Sequence, residues 1–157
     1  MIRKISSTDA GWTLVELVGM IALLGILTIV AIPTSDVGSA ALDACAHRLR
    51  ADLHFAQQMA TTSGTAYGFR SLSGTQYEIF VGAPGTPAVD PYRRTAFQID
   101  IQEIYRGVQF SGAPPTVTFT PPDGIPAIAG GPTIVLTNGT ATKTIVITAT
   151  TGVPLIQ

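Results

Sequence analysis

The sequence predicts an α+β protein: a long N-terminal helix, membrane-compatible in its first half and amphipathic in its second, packed on an antiparallel β-sheet or small β-sandwich head. Three observations carry this. From Trp12 to Ile32 the chain is apolar with one charge, Glu16. Leu42, Cys45, Leu49, Leu53, Ala56 and Ala60 then recur at helical spacing. After Gly64 short β-rich runs alternate with Gly, Pro, Asn and Asp.

Length and charge narrow the classes. A chain of 157 residues holds one domain of ordinary size beyond a membrane segment. Only 12% of residues are charged and 46% are hydrophobic, and the excess is concentrated in residues 12–32. At about 1.5 Å per helical residue that run reaches roughly 30 Å, the hydrocarbon thickness of a bilayer. Net charge is −1. Without residues 1–11, which include Arg3, Lys4 and Asp9, seven basic and nine acidic groups remain. Neither balance gives a strong field for nucleic acid. The single Cys45 excludes an intramolecular disulfide; in an Ala-rich helix it reads as a small packing residue.

Residues 1–11 form a short polar leader. A secretory signal peptide would place its small-residue cleavage site after the apolar stretch. Here Gly11 precedes it, so a cut there would remove the charged leader and keep the helix. Arg3 and Lys4 ahead of the span favour a cytoplasmic N-terminus. Residues 12–33 read as a transmembrane helix, which Pro33 ends or kinks. Thr34, Ser35 and Asp36 are available to cap a continuation. Residues 34–63 then read as an amphipathic helix reaching about Thr62, with Gly64 as the stop.

Residues 64–157 read as a β-rich head. Strands are expected at 66–70, 77–81, 95–105, 117–119, 133–136, 144–148 and 153–156, about seven in all. In the third, Phe97, Ile99 and Ile101 alternate with Gln98, Asp100 and Gln102, as in a strand with one wet face. Turns are expected at 84–87, 111–115, 121–124, 130–132 and Asn138-Gly139.

The segment GWTLVELVGMIALLGILTIVAIP, Gly11 to Pro33, closely resembles the type IV prepilin signature, shared with the pseudopilins of type II secretion. Gly11, Thr13, Leu14, Val15, Glu16, Leu17 and Pro33 match at the family's spacing; Trp12 stands where Phe is usual, and Gly19 sits inside the helix. The resemblance implies cleavage by prepilin peptidase between Gly11 and Trp12 and N-methylation of Trp12. It also implies assembly through Leu14, Glu16, Leu17 and Pro33. RLRADLHFAQQMATTSGTAYGF at 48–69, FTPPDGIP at 119–126, TIVLTN at 133–138 and KTIVITATTGVPLI at 143–156 are similar to the GspH/FimT-type minor pilins. That similarity implies a β-sandwich-like head on a long helix and a minor filament subunit.

The pattern has a physical basis. A carboxylate inside a membrane span is costly, by roughly 2.5–3.5 kcal/mol at its centre, and usually has a partner. Once cleaved, Trp12 would carry an α-amine with an unperturbed pKa near 8. Glu16 would neutralise that amine on a neighbouring subunit and so set the stagger of packed helices.

Other constellations carry no chemistry. His47 and His54 are seven apart, whereas helical metal pairs use three or four, so they read as surface or interface residues. Asp100 and Glu103 fall on opposite faces of a regular strand, a poor catalytic pair. Isolated Asp90 and Asp123 do not make a calcium loop. Asn138-Gly139-Thr140 is an acceptor sequon but primarily a hairpin turn. Arg93-Arg94 beside Tyr92 reads as a solvated strand edge.

The sequence therefore points to a structural protein without catalytic residues, metal or cofactor. Its expected role is a minor pseudopilin or minor pilin in the bacterial inner membrane, single-pass, with its head in the periplasm. Expected partners are other pilin or pseudopilin subunits, prepilin peptidase and the inner-membrane assembly platform. A DNA-binding minor pilin of an uptake pilus is the alternative. It would need clustered basic residues on the head, and after Arg106 only Lys143 remains.

Overall fold

The computed structural model describes residues 13–30 and 37–157. It comprises two compact units, residues 1–35 and 36–157. In the first, helix α1 runs Leu14–Val30, and every residue from Thr13 to Leu24 is exposed.

The second unit opens with helix α2, Val37–Ser63. It ends where the sequence places its stop: Gly64 follows at φ +68°. Leu42, Cys45, Leu49, Leu53, Ala56 and Ala60, the stripe read from the sequence, are all buried. Two antiparallel sheets receive this stripe. The first has the order β3-β2-β1-β5-β6, with β1 at Tyr67–Ser71, β2 at Gln76–Val81 and β3 at Gln98–Asp100. Its last two strands are β5, Thr116–Thr120, and β6, Ile125–Ala129. The second has the order β4-β7-β8-β9, with β4 at Gln109–Phe110 and β7 at Thr133–Thr137. It continues with β8, Thr142–Ile147, and β9, Pro154–Ile156. Helix α2 touches β1, β2 and β5 of one sheet and β7, β8 and β9 of the other. Phe69, Tyr77, Ile79 and Phe119 from the first sheet share one buried cluster with Ile134, Leu136, Ile145 and Ile147 from the second. The expected α+β arrangement, a helix on antiparallel strands, is present, and the head holds two sheets.

Three departures from the expected strands are local, the two-residue β4 at Gln109–Phe110 among them. The alternation from Thr95 to Tyr105 does not continue as a strand: β3 stops at Asp100 and a short helix, α3, spans Ile101–Ile104. Asp100 caps that helix, its Oδ1 accepting from the Gln102 backbone N–H at 2.9 Å. Gln76 Nε2 donates to the other oxygen at 2.9 Å. Gln76 foremost, with the backbone N–H groups that follow, holds the Asp100 carboxyl below its usual range. Asp100 and Glu103 are thus a cap and a first-turn acid of one helix, not opposite faces of a strand. Strand β6, IPAIA, lies outside the seven expected runs and contains Pro126. Proline is tolerated here because β6 is the edge of its sheet, where one side of the ladder has no partner strand.

Candidate functional site

Gly11, Trp12 and Pro33 lie outside the described residues. Glu16 lies in the first turn of α1, exposed like its neighbours Leu14 and Leu17, which are 78% and 54% accessible. Thr13 immediately precedes the helix. Its carbonyl accepts from the Glu16 and Leu17 backbone N–H groups at 3.0 and 3.1 Å, and its Oγ1 lies 3.4 Å from Glu16 N. Thr13-x-x-Glu16 therefore has the spacing of a capping box, a signal readable in the sequence but not used there. Among the described residues, no helix is long and apolar enough to cross a membrane. Helix α1 contributes 17 described residues; Trp12 and residues 31–33 of the expected span lie outside the described set.

The polar groups of the head are organised around α2. Arg48 and Asp52, one helical turn apart, face β2. Arg48 Nε donates to both Asp52 oxygens at 3.0 and 3.1 Å, and the Tyr77 hydroxyl donates to Asp52 Oδ2 at 2.5 Å. Burial nevertheless raises the Asp52 pKa, outweighing the lowering by Tyr77 and Arg48. The same burial, followed by the nearby Asp52 carboxylate, pushes the Cys45 thiol up to about 12. A buried thiol with that pKa is a packing residue, not a nucleophile. The i,i+4 spacing of Arg48 and Asp52 was visible in the sequence; the burial of Asp52 was not.

A second ion pair, half-buried at Arg70 and buried at Glu78, crosses the first sheet. Arg70 and Glu78 are register partners of β1 and β2, and Arg70 Nη2 lies 2.8 Å from Glu78 Oε1. That oxygen also accepts from the Gly85 backbone N–H at 2.9 Å, so the pair ties down the turn at 84–87. The turn at 121–124 and the turn carrying Thr151 and Gly152 converge on one α2 side chain. Gln57 Nε2 donates to the carbonyls of Gly124 at 3.2 Å and Thr151 at 2.5 Å.

The remaining candidates settle as surface or turn residues. His47 and His54 are exposed and share an open depression with Arg50 and Ala51. Among the described residues, no group of three His, Cys, Asp or Glu side chains is placed to hold a metal. Asn138-Gly139 forms the β7–β8 turn as expected, Asn138 Oδ1 accepting from the N–H groups of Thr140 and Ala141. Arg93 and Arg94 do not lie on a strand edge. They occupy a tight turn with Arg94 at φ +57°, anchored by buried Asp90, whose Oδ1 accepts from Tyr92 N and Arg93 N.

One amphipathic helix buried across two antiparallel sheets defines an α+β head. The chain belongs to the family described as Type II transport protein GspH, which matches residues 46–151. Two crystal forms of the type IV minor pilin FimU from Pseudomonas aeruginosa have a similar fold. One gives a TM-score of 0.52 at 18% identity, covering 74% of this chain and 92% of that one. The other gives 0.50 at 24% identity, covering 74% and 86%. No curated protein matches the sequence.

Proposed function

We propose that this protein is a minor subunit of a pilus-like filament, in a type II secretion pseudopilus or a type IV pilus. Its N-terminal helix would insert in the inner membrane and pack into the filament, leaving residues 37–157 as a periplasmic head. The observation that carries the reading is the surface of α1. Leu14, Val15, Leu17, Val18, Met20, Ile21, Leu23 and Leu24 are all exposed, and Glu16 is the one charge among them. An apolar helix exposed along this length needs a membrane or other helices around it. The GspH family match and the FimU-like fold of the head support the filament class.

Within that reading, prepilin peptidase cuts between Gly11 and Trp12 and the new Trp12 amine is methylated. Glu16 neutralises the amine of an adjacent subunit while Leu14, Leu17 and Pro33 shape the packed helix. The partners are other pilin or pseudopilin subunits, the peptidase and the inner-membrane assembly platform. Mass spectrometry of protein extracted from membranes tests the first step. The expected mass lacks residues 1–11 and carries one added methyl; Gly11→Asp blocks the cut. An intact Met1 terminus in cells with active peptidase would refute it.

A further inference from the structure

A groove lies between α2 and the turn at 90–95. It encloses about 580 Å³ and is lined by Arg48, Ala51, Asp52, Phe55, Pro91, Tyr92 and Phe97. Phe55 and Phe97 form one wall, their rings 5.6 Å apart and tilted by 47°. Tyr92 forms the rim with 90% of its surface accessible, yet its backbone is fixed. Buried Asp90 accepts from its N–H at 2.8 Å, and the turn is closed by Asp90 N to Thr95 O and Arg94 N to Asp90 O, both at 2.9 Å. An exposed aromatic ring on a fixed turn loses little freedom when a partner covers it.

The free hydrogen-bonding capacity of the groove decides what it fits. Asp52 is satisfied by Arg48 Nε and Tyr77, and one oxygen of Asp90 by two backbone N–H groups; both residues are buried. Arg48 is different. Among the described residues its recorded hydrogen bonds all leave from Nε to Asp52, and its side chain is 35% exposed. The two terminal amino groups, the best part of the guanidinium fork for a carboxylate, remain open. Arg93 and Arg94 are exposed in the turn that carries Tyr92. The accessible charge around the apolar floor is thus cationic, while the carboxylates beside it are buried.

We propose that this groove docks a peptide segment of a partner protein in which an aromatic or large aliphatic side chain sits beside an Asp or Glu. The apolar side chain enters between Phe55, Phe97 and Pro91 under the Tyr92 ring, over Ala51. The carboxylate pairs with the open edge of Arg48. Arg and aromatic side chains around a desolvated pocket are the composition of interface hot spots. The inference stands on the head alone and does not depend on the filament reading.

The test uses the full chain in mild detergent and a fluorescein-labelled, terminally blocked Gly-Asp-Phe-Asp-Gly peptide, read by fluorescence anisotropy. Replacing both Asp by Asn, or Phe by Ala, is expected to weaken binding at least tenfold. Raising salt from about 50 to 500 mM weakens the charged peptide only. Ala51 is exposed, so Ala51→Trp fills the groove from the solvent side without entering the core, and it abolishes binding. Tyr92→Ala weakens it several-fold, and Arg48→Gln at least tenfold. Absence of binding up to millimolar peptide, equal binding of the Asn peptide, or indifference to Ala51→Trp overturns the proposal. A ten-nucleotide single strand that binds more tightly than the peptide and is blocked by Ala51→Trp also overturns it, in favour of nucleic acid.

Discussion

Gln57 and Gly152 meet at the point where α2 joins the two sheets. The Gln57 amide donates to Thr151 O, immediately before Gly152, and to Gly124 O in the turn after β5. A Cβ on Gly152 would come within 2.7 Å of Gln57 Nε2 and 2.9 Å of Gly124 O, and the residue has φ +72°. On Gly124, at φ +65°, a Cβ would meet Thr61 Cγ2 at 2.8 Å. Both turns therefore need glycine for conformation and for room. The short motifs that resemble the GspH/FimT pattern gain a physical meaning: they let one helix side chain hold a loop from each sheet.

Gln57→Ala removes two hydrogen bonds that are exposed or half-buried, at about 0.5–1.5 kcal/mol each. It should destabilise the head by roughly 1–2 kcal/mol. Gly152→Ala adds backbone strain and a steric clash and should cost more, about 2–4 kcal/mol. Because both act at one contact, the double variant should lose less than the sum of the singles. Urea denaturation of the three variants measures this, and strict additivity would show that the two residues are not coupled.

Leu49 is 1% exposed beneath both sheets. Leu49→Ala should cost about 2–5 kcal/mol, the usual range for a cavity in a packed core. A fragment beginning at Val37, the first residue of α2, should be soluble and show the same loss. Cys45 gives an independent readout: buried, with its thiol pushed up to about 12, it should resist alkylation at pH 8 until the head opens. Leu49→Ala should speed that labelling. A loss under about half a kcal/mol would mean that this stripe is not what holds the helix to the sheets.

The stripe itself was legible from the sequence because periodicity reports a helix face directly. Leu42, Cys45, Leu49, Leu53, Ala56 and Ala60 needed only their spacing. What was not legible depended on contacts distant in sequence. Asp52 looks like any helix-surface carboxylate until Tyr77 from β2 arrives over it, and Gln57 looks solvated until two loops close on it. The failure at Asp100 is of another kind. Its alternation fits a strand and its side chain fits a cap, and the nearby donors on Gln76 and Gln102 decide for the cap. The N-terminal signature works differently again: it names processing and assembly residues through resemblance, and in the filament reading their partners belong to other molecules.

Asp52 supplies a pH test with a definite sign. Burial raises its folded-state pKa above the ordinary 3.8. Between the unfolded value and the raised one, the folded state binds more protons, so stability contributed at this site falls as pH rises through that window. Lowering the pH from 7 should stabilise wild type relative to Asp52→Asn, which has no proton to gain. The difference in denaturation midpoint, followed from pH 7 to pH 4, should shift steadily in favour of wild type. A shift in the opposite direction would mean that Arg48 and Tyr77 outweigh burial at Asp52.

Glu16 stands in two arrangements that a single substitution cannot separate. Its backbone N–H bonds to Thr13 at the start of α1, the spacing of a capping box, where a Gln side chain serves as well as Glu. In the filament reading, its charge neutralises a neighbour's amine, where Gln does not serve. Glu16→Val removes both properties, and it should leave membrane insertion intact or improved because a charge leaves the apolar helix. Glu16→Gln keeps the capping geometry and removes the charge. If charge pairing governs assembly, both variants insert normally and both fail to restore secretion or piliation to a null strain. If capping governs, Glu16→Gln restores function and Glu16→Val does not. The physical cost favours the first outcome: a surface cap is worth about 1 kcal/mol, whereas an amine left without a counter-charge among packed helices costs several. Side-by-side complementation with the two variants decides between them, and full activity of Glu16→Gln would sink the pairing argument.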